Sequence, residues 1–389
     1  MKQLFTIFLI VFLSHLGLYA QNQPNRTMYL AEKIYQCDTA FSTANAMVVE
    51  NGVILYVGDV RTADSLYPTT PKTEFVGKYI YPGFIDAHCH FLAYSKGLTE
   101  VDLVGSKSEA DVIKRAKKFA KKNTLPWLIG RGWDQNDWAN KSFPGMALLD
   151  KAFPNTPVCL SRVDGHAVWI NSAAVKALNL NTQQVIAGGE FVYKDGKFQG
   201  ICIDNAADLV KSNLPEVPFT AWEKGLNSGL RNCHAQGLTQ IAEAGMSLKD
   251  IQLVQDLQAQ NKLSLRIYGM LSLSEENLGY ISRNGMIYTD LFTMRSVKMY
   301  LDGALGSRGA LLKGDYCDQL GHKGLQIMDV AKFEMYQQYL FNKGFQVCVH
   351  AIGDSANAIA LRTFQKNIPE GYDARWRIEH AQIVKIGRA

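Results

Sequence analysis

Residues 330–350 read VAKFEMYQQYLFNKGFQVCVH. This stretch predicts a helix over 330–343 followed by a strand from Phe345 to Val349, with a histidine directly after it. A helix over 354–367 and a strand from Arg375 to Glu379 repeat the unit downstream. Upstream, helices over 220–235, 249–260 and 275–284 precede strands at Leu238 to Ala242, Leu265 to Leu271 and Met294 to Leu301. Alternation at this length is the pattern of βα units. Ile80 to Ala87, Trp127 to Gly130 and Pro157 to Arg162 supply further strands. The expected fold is therefore α/β, a (β/α) TIM-like barrel over 81–382. A doubly wound sheet ranks second, because no Gly-rich phosphate loop follows the first strand.

Working outward, residues 28–80 read as a small β domain. Asn51-Gly52 joins Ala46 to Glu50 with Ile54 to Val57, a hairpin signal because both turn residues tolerate positive φ. Residues 172–178 suggest a short helix, and the Gly-rich, β-like stretch 187–203 an insertion hairpin. Residues 1–20 stand apart. Lys2 precedes an apolar run from Leu4 to Leu13, and Ala20 precedes the polar Gln21-Asn22-Gln23-Pro24. A short basic start, an apolar centre and a small residue before polar chain mark a signal peptide cut after Ala20. The run is too short to span a membrane. Export to the periplasm or outside the cell is expected, with no membrane span once the leader is removed.

Composition excludes other classes. With 389 residues, 47% hydrophobic and 20% charged, the chain is neither disordered nor collagen-like, and its core needs no disulfide staples. A net charge of +5 is too mild to imply nucleic acid. The densest basic stretch, Lys114 to Lys122, interleaves with Ile113, Ala116, Phe119 and Ala120 at helical spacing, so its lysines form the wet face of a helix over 108–123. The 7 cysteines are scattered without zinc-type spacing.

The chemistry falls at strand ends, where a barrel gathers its active site. The chain has 8 histidines, of which His15 lies in the leader, and His88, His90, His350 and His380 sit at predicted strand ends. In an extended segment His88 and His90 point one way and Cys89 the other. Two such imidazoles can hold a borderline-soft divalent ion. His166, in Asp164-Gly165-His166, follows another strand and suits substrate contact better than metal. His234 lies inside a helix, a structural position, and His322 in a Gly-rich loop has no assigned role. Lys298 is buried in the apolar run Val297-Lys298-Met299-Tyr300-Leu301, where an unpaired ammonium is costly. Two escapes stand open. One is an ion pair with Asp302 or Glu243, the other carbamylation, which converts the amine to an anionic bridge between two metals.

Tyr81-Pro82-Gly83-Phe84-Ile85-Asp86-Ala87-His88-Cys89-His90 resembles the first-strand signature of the metal-dependent amidohydrolase superfamily. Further stretches resemble its YtcJ-like branch, which includes N-substituted formamide deformylases. They are Gly130 to Gln135, Asp164 to His166, Val297 to Arg308, Val349 to Asp354 and Arg377 to Gln382. The likeness runs from about residue 30 to 382 and extends to the small β domain, similar to half of that superfamily's N-terminal β-sandwich. The resemblance implies His88 and His90 on one metal, His350 and His380 on the other, and carbamylated Lys298 between them. Zinc suits the imidazole-rich set best, and iron or manganese also fit. It further implies that Arg131, Trp133, Asp134, Asp164, His166 and Arg308 line the substrate pocket or stand directly behind its lining, with a metal and His166 holding the oxyanion. Asp302 and Asp354 would orient ligands, and Glu379, next to His380, would point away into packing or an ion pair.

The implied activity is hydrolysis of a non-peptide carbon–nitrogen amide bond in an N-acyl or N-formyl amine, a small-molecule substrate. A non-catalytic binding or regulatory protein on the same scaffold is the alternative. The family places an acid–base aspartate at the end of the eighth barrel strand. After His380 the sequence runs Ala-Gln-Ile-Val-Lys-Ile-Gly-Arg-Ala without Asp, Glu or His. A barrel incomplete at its C-terminal end, with 383–389 as a tail outside the family pattern and these 389 residues inactive by themselves, is therefore expected. Self-association into a homo-oligomer is left open.

Overall fold

A computed structural model describes residues 25–123 and 126–384, so the expected leader and residues 385–389 lie outside the described residues. The chain divides into two compact units between Phe84 and Ile85. The first contains β1 (Arg26–Tyr35), β2 (Thr43–Glu50), β3 (Val53–Gly58) and β4 (Lys72–Ile80), paired in the order β3-β2-β1-β4. Asn51 and Gly52 take φ of 51° and 80°, giving the tight β2–β3 turn that their chemistry permits. The helix Val60–Leu66, capped by the Asp59 carboxylate, lays Ala63 on Met28, Ala46 and Val48. This unit is one sheet with one helix. A second sandwich layer is not found among the described residues.

The second unit opens with β5 (Phe84–Cys89). The chain then builds a separate sheet from β6 (Val101–Asp102), β7 (Leu128–Trp133), β8 (Val158–Arg162), β9 (Ala167–Ile170), β10 (Gly189–Lys194) and β11 (Lys197–Asp204). Its order is β10-β11-β9-β8-β7-β6. The strands expected at Trp127 to Gly130 and Pro157 to Arg162 are real, but they belong to this sheet and not to the barrel. The reason is local. A tight turn at Asp164-Gly165, with Gly165 at φ 78°, folds β9 antiparallel onto β8, a pairing that a βα barrel does not contain. The hairpin expected over 187–203 is β10–β11.

The barrel proper resumes with β12 (Leu238–Met246), β13 (Arg266–Ser272), the short antiparallel β14 (Ile287–Tyr288), β15 (Phe292–Tyr300), β16 (Gln346–Ala351) and β17 (Arg377–His380). The order β17-β16-β15-β13-β12-β5 makes a nearly closed parallel barrel of six strands. Arg377 Nη2 in β17 donates to the Ala87 carbonyl of β5 at 2.8 Å, so side chains bridge the two end strands. Leu226, Ile241, Val254, Leu271, Val297, Phe333 and Val349 belong to the continuous apolar core of this barrel and its helices. No helix among the described residues is long and apolar enough to cross a membrane.

One helix pair bears directly on the strand ends. The helix Phe91–Gly97 starts immediately after His90 and packs on the helix Phe219–Ala235. Contact is close because Gly225 and Gly229 face Ser95; a Cβ on Gly225 would lie 2.1 Å from the Ser95 carbonyl oxygen. Ala normally gains about 1 kcal/mol over Gly in a helix. Here the backbone clash outweighs that gain, and Gly225→Ala is expected to lose roughly 1–3 kcal/mol in urea denaturation. Equal or greater stability would refute the close packing.

Candidate active site

Four of the barrel strands end at one mouth. His88 lies in β5 and His90 just past it, their rings edge to face with centroids 5.2 Å apart. The His380 ring, at the end of β17, is 4.7 Å from that of His88 and 4.6 Å from that of His350. Hydrogen-bond partners select the tautomers. His90 Nδ1 is 2.9 Å from the Ala244 carbonyl, which can only accept, so Nδ1 carries the proton and Nε2 keeps its lone pair. His88 Nδ1 donates to Glu379 Oε2 at 2.6 Å, and its Nε2 is buried without a hydrogen-bond partner. Burial, aided by the nearby Lys298 charge, pushes His90 down to about 4 and His380 to about 3; burial also holds His350 well below the usual imidazole range. Neutral imidazoles with directed lone pairs are the form that binds metal.

The rings meet edge to face and do not yet converge on a point. Among the described residues no three His, Cys, Asp or Glu side chains stand as a formed metal cluster. Donor type and protonation state nevertheless fit a divalent cation, as does the orphaned His88 Nε2. Lys298 adds a second orphan: it is 1% exposed, and its Nζ has no hydrogen-bond partner. The nearest aromatic face is Tyr300, 5.1 Å from Nζ to the ring centroid. Burial pushes the amine down to about 8, against the opposing pull of Glu379.

Neither suggested ion-pair partner takes Lys298. Asp302 is buried and accepts backbone N–H bonds from Leu311, Ile352 and Gly353 at 2.9, 2.9 and 2.7 Å. Its Oδ1 is 3.7 Å from His350 Nε2, so it shapes the loop after β16 and stands behind that imidazole. Glu243 accepts from the Phe91 and Leu92 N–H groups at 2.6 and 3.3 Å, capping the helix that follows His90. Asp354 is committed to the Lys313 N–H at 2.9 Å. Glu379 pairs with Arg377 Nε at 2.5 Å and also reaches His88. It does so although its neighbour His380 joins the same cluster, because φ of 73° at His380 and 43° at Ala381 breaks the strand alternation.

The separate sheet supplies His166, whose ring is 5.0 Å from His350 and 6.5 Å from Tyr300. Behind it sits Arg162, which sequence reasoning overlooked. Arg162 is 2% exposed and bonds Gln135 Oε1 at 2.8 Å, Asp134 Oδ1 at 2.5 Å and Asp164 Oδ2. Asp134 and Asp164, expected at the pocket, thus neutralise a buried guanidinium, and Asp164 also accepts the His166 N–H at 3.0 Å. A charged residue ending the apolar strand Val158–Arg162 was the available signal. Trp133 requires correction: it is fully buried, and its indole donates to the Leu160 carbonyl at 2.7 Å, which makes it core and not pocket lining. Arg131 bonds the Val163 carbonyl at 3.3 Å. Arg308 pairs with Asp318 at 2.8 Å and stacks near Phe143.

The model of the amidohydrolase family matches residues 76–389. The chain belongs to that family. Within it, the chain is 29% identical over 351 residues to YtcJ, a putative amidohydrolase of Bacillus subtilis (strain 168), covering 87% of this chain and 65% of that protein. It is 24% identical over 388 residues to an N-substituted formamide deformylase of Arthrobacter pascens, covering 94% and 70%. A solved structure from Pyrococcus furiosus, described as an uncharacterized metal-dependent hydrolase, superposes with a TM-score of 0.68 at 26% identity, covering 93% of this chain and 73% of that one. The chain spans about two-thirds of the length of the curated relatives it matches.

The orphaned amine has a measurable consequence. Its folded pKa, about 8, lies below the ordinary 10.5, so the penalty on folding is fully present below pH 8 and fades as pH rises towards 10.5. Lys298→Met, in chelator at neutral pH, is expected to be more stable than the wild type by on the order of 1–3 kcal/mol. That advantage shrinks between pH 8 and 10 in urea titrations. Equal stability at pH 7 would show that Lys298 is paired.

Proposed function

We propose that this site serves metal-dependent hydrolysis of a non-peptide carbon–nitrogen bond in an N-acyl or N-formyl amine. The observation that carries the reading is the meeting of four imidazoles and one lysine without a hydrogen-bond partner at a single strand-end mouth. His88 and His90 would hold one divalent ion and His350 and His380 a second, with carbamylated Lys298 between them; zinc suits these donors best, iron or manganese next. Such ions, when bound, supply a Lewis acid that activates water at neutral pH and polarises a carbonyl.

The chain's own groups do the remaining work. Glu379 and the Ala244 carbonyl keep His88 and His90 as Nδ1–H tautomers, with their outer nitrogens free. His166 stands where it can donate to a developing oxyanion beside His350. Arg162, through Asp164, fixes the turn that carries it. Arg131 and Arg308 are proposed for the outer pocket, on the family likeness. That likeness also supports reading the four-stranded sheet as one layer of a sandwich, and the sequence of residues 1–20 supports export.

Purified chain grown with zinc, manganese or iron, assayed on a panel of N-formyl and N-acyl amines, tests the reading. Bound metal and turnover are expected to fall together at least tenfold in His88→Ala and His380→Ala. Hydrolysis untouched by chelators would overturn the metal-dependent mechanism. Ligand binding that survives metal stripping, with no turnover, would instead make the chain a binding protein. Separately, protein recovered outside the cytoplasm should begin at Gln21; an intact Met1 start there would refute cleavage.

A further inference from the structure

Asp204, the last residue of β11, has no role in the reading above. Its Oδ1 lies 2.7 Å from His166 Nδ1, and its own N–H donates to the His166 carbonyl at 2.8 Å, so side chain and backbone hold the same partner. The carboxylate is completely buried, and Oδ2 has no hydrogen-bond partner. The backbone takes φ 48° and ψ −120°, a region that L-residues adopt only when their surroundings impose it. Two glycines make the room: a Cβ on Gly303 would lie 2.1 Å from Asp204 Oδ2, and one on Gly309 would lie 2.3 Å from it. Both glycines belong to the loop that follows Asp302. Strain, burial and a cleared space therefore coincide at one carboxylate, whose hydrogen bond to a side chain is to His166, the ring 5.0 Å from that of His350.

We propose that Asp204 is a positioning residue that holds His166 as its Nδ1–H tautomer, so that Nε2 is the nitrogen offered to the mouth. Burial raises the Asp204 carboxyl above the ordinary carboxylate range, and its hydrogen bond to His166 opposes that rise; in the ionised form the carboxylate can only accept, which puts the shared proton on Nδ1 and fixes the ring's orientation. The same arrangement governs metal-bound and catalytic histidines, where the partner behind the ring decides which nitrogen works. The inference deepens the hydrolase reading and relies on it for the purpose of His166, but its primary test uses neither metal nor turnover.

Protein labelled with nitrogen-15 in histidine and stripped of metal is examined by long-range nitrogen–proton NMR, with His166 assigned by loss of its signals in His166→Gln. The expected wild-type pattern is a protonated Nδ1 and a bare Nε2. Asp204→Ala should lose this single-tautomer pattern. The nearly isosteric Asp204→Asn, checked for native folding by circular dichroism, guards against simple collapse of the cavity variant. A bare Nδ1 in the wild type, or a pattern unchanged in a folded variant, would overturn the proposal. Where the wild type turns over a substrate, Asp204→Asn is expected to lower kcat 10–100-fold and leave KM within about threefold. An unchanged kcat would overturn the positioning role. A wild type that neither binds zinc, manganese or iron nor turns over any amide of the panel would overturn the hydrolase reading while the tautomer result stands.

Discussion

Parallel strand direction is the constraint from which the rest follows. Residues separated by 291 positions, His88 and Glu379, meet within hydrogen-bond distance because β5 and β17 deliver their ends to the same rim. The register of the parallel ladder does the fine placement: Tyr300 sits opposite His350, and Ala351 opposite His380. Neither helices nor loops could gather four imidazoles from such distant sequence with so little ordering cost, since every strand is already fixed by its neighbours and by the apolar core.

Electrostatics at the rim is a balance of deprivation. Burial penalises every charge, and the Lys298 amine and the His88 ring add to the suppression of protonation at His90 and His380. The one anion inside the group, Glu379, is shared between Arg377 and His88 and is held below the usual carboxylate range by those contacts. As a set the groups are poor at holding protons and well suited to hold cations. The cost is borne by the fold, whose buried amine lacks a partner. A buried polar group left unmatched in this way calls for an explanation, and a functional site is one.

Much of this was legible in advance. The helix–strand alternation from residue 219 onward matches the observed elements almost residue for residue, because amphipathic period and strand length are local properties. His88, His90, His350, His380 and Lys298 were legible because polar residues at apolar strand ends are conspicuous. What escaped depends on tertiary partners. β7 and β8 look like barrel strands in sequence, and only the antiparallel return of β9 puts them elsewhere. Arg162 and Asp204 gain meaning from partners that only the folded chain brings together: Asp134 and Gln135 for the one, His166 and the glycines of the loop after Asp302 for the other. Trp133, read as pocket lining, has the surroundings of a core residue. Glu379 was expected to face away from the cluster, and a left-handed turn in the backbone at His380 reverses that.

Arg377 has one more consequence. A strand at the end of a sheet exposes carbonyls that a second molecule can adopt as its own ladder. By taking the Ala87 carbonyl from across the gap, the guanidinium removes one such acceptor from β5, and its charge discourages an incoming strand at that spot. The residue that steadies Glu379 therefore also leaves that edge one fewer free acceptor for a foreign strand to use.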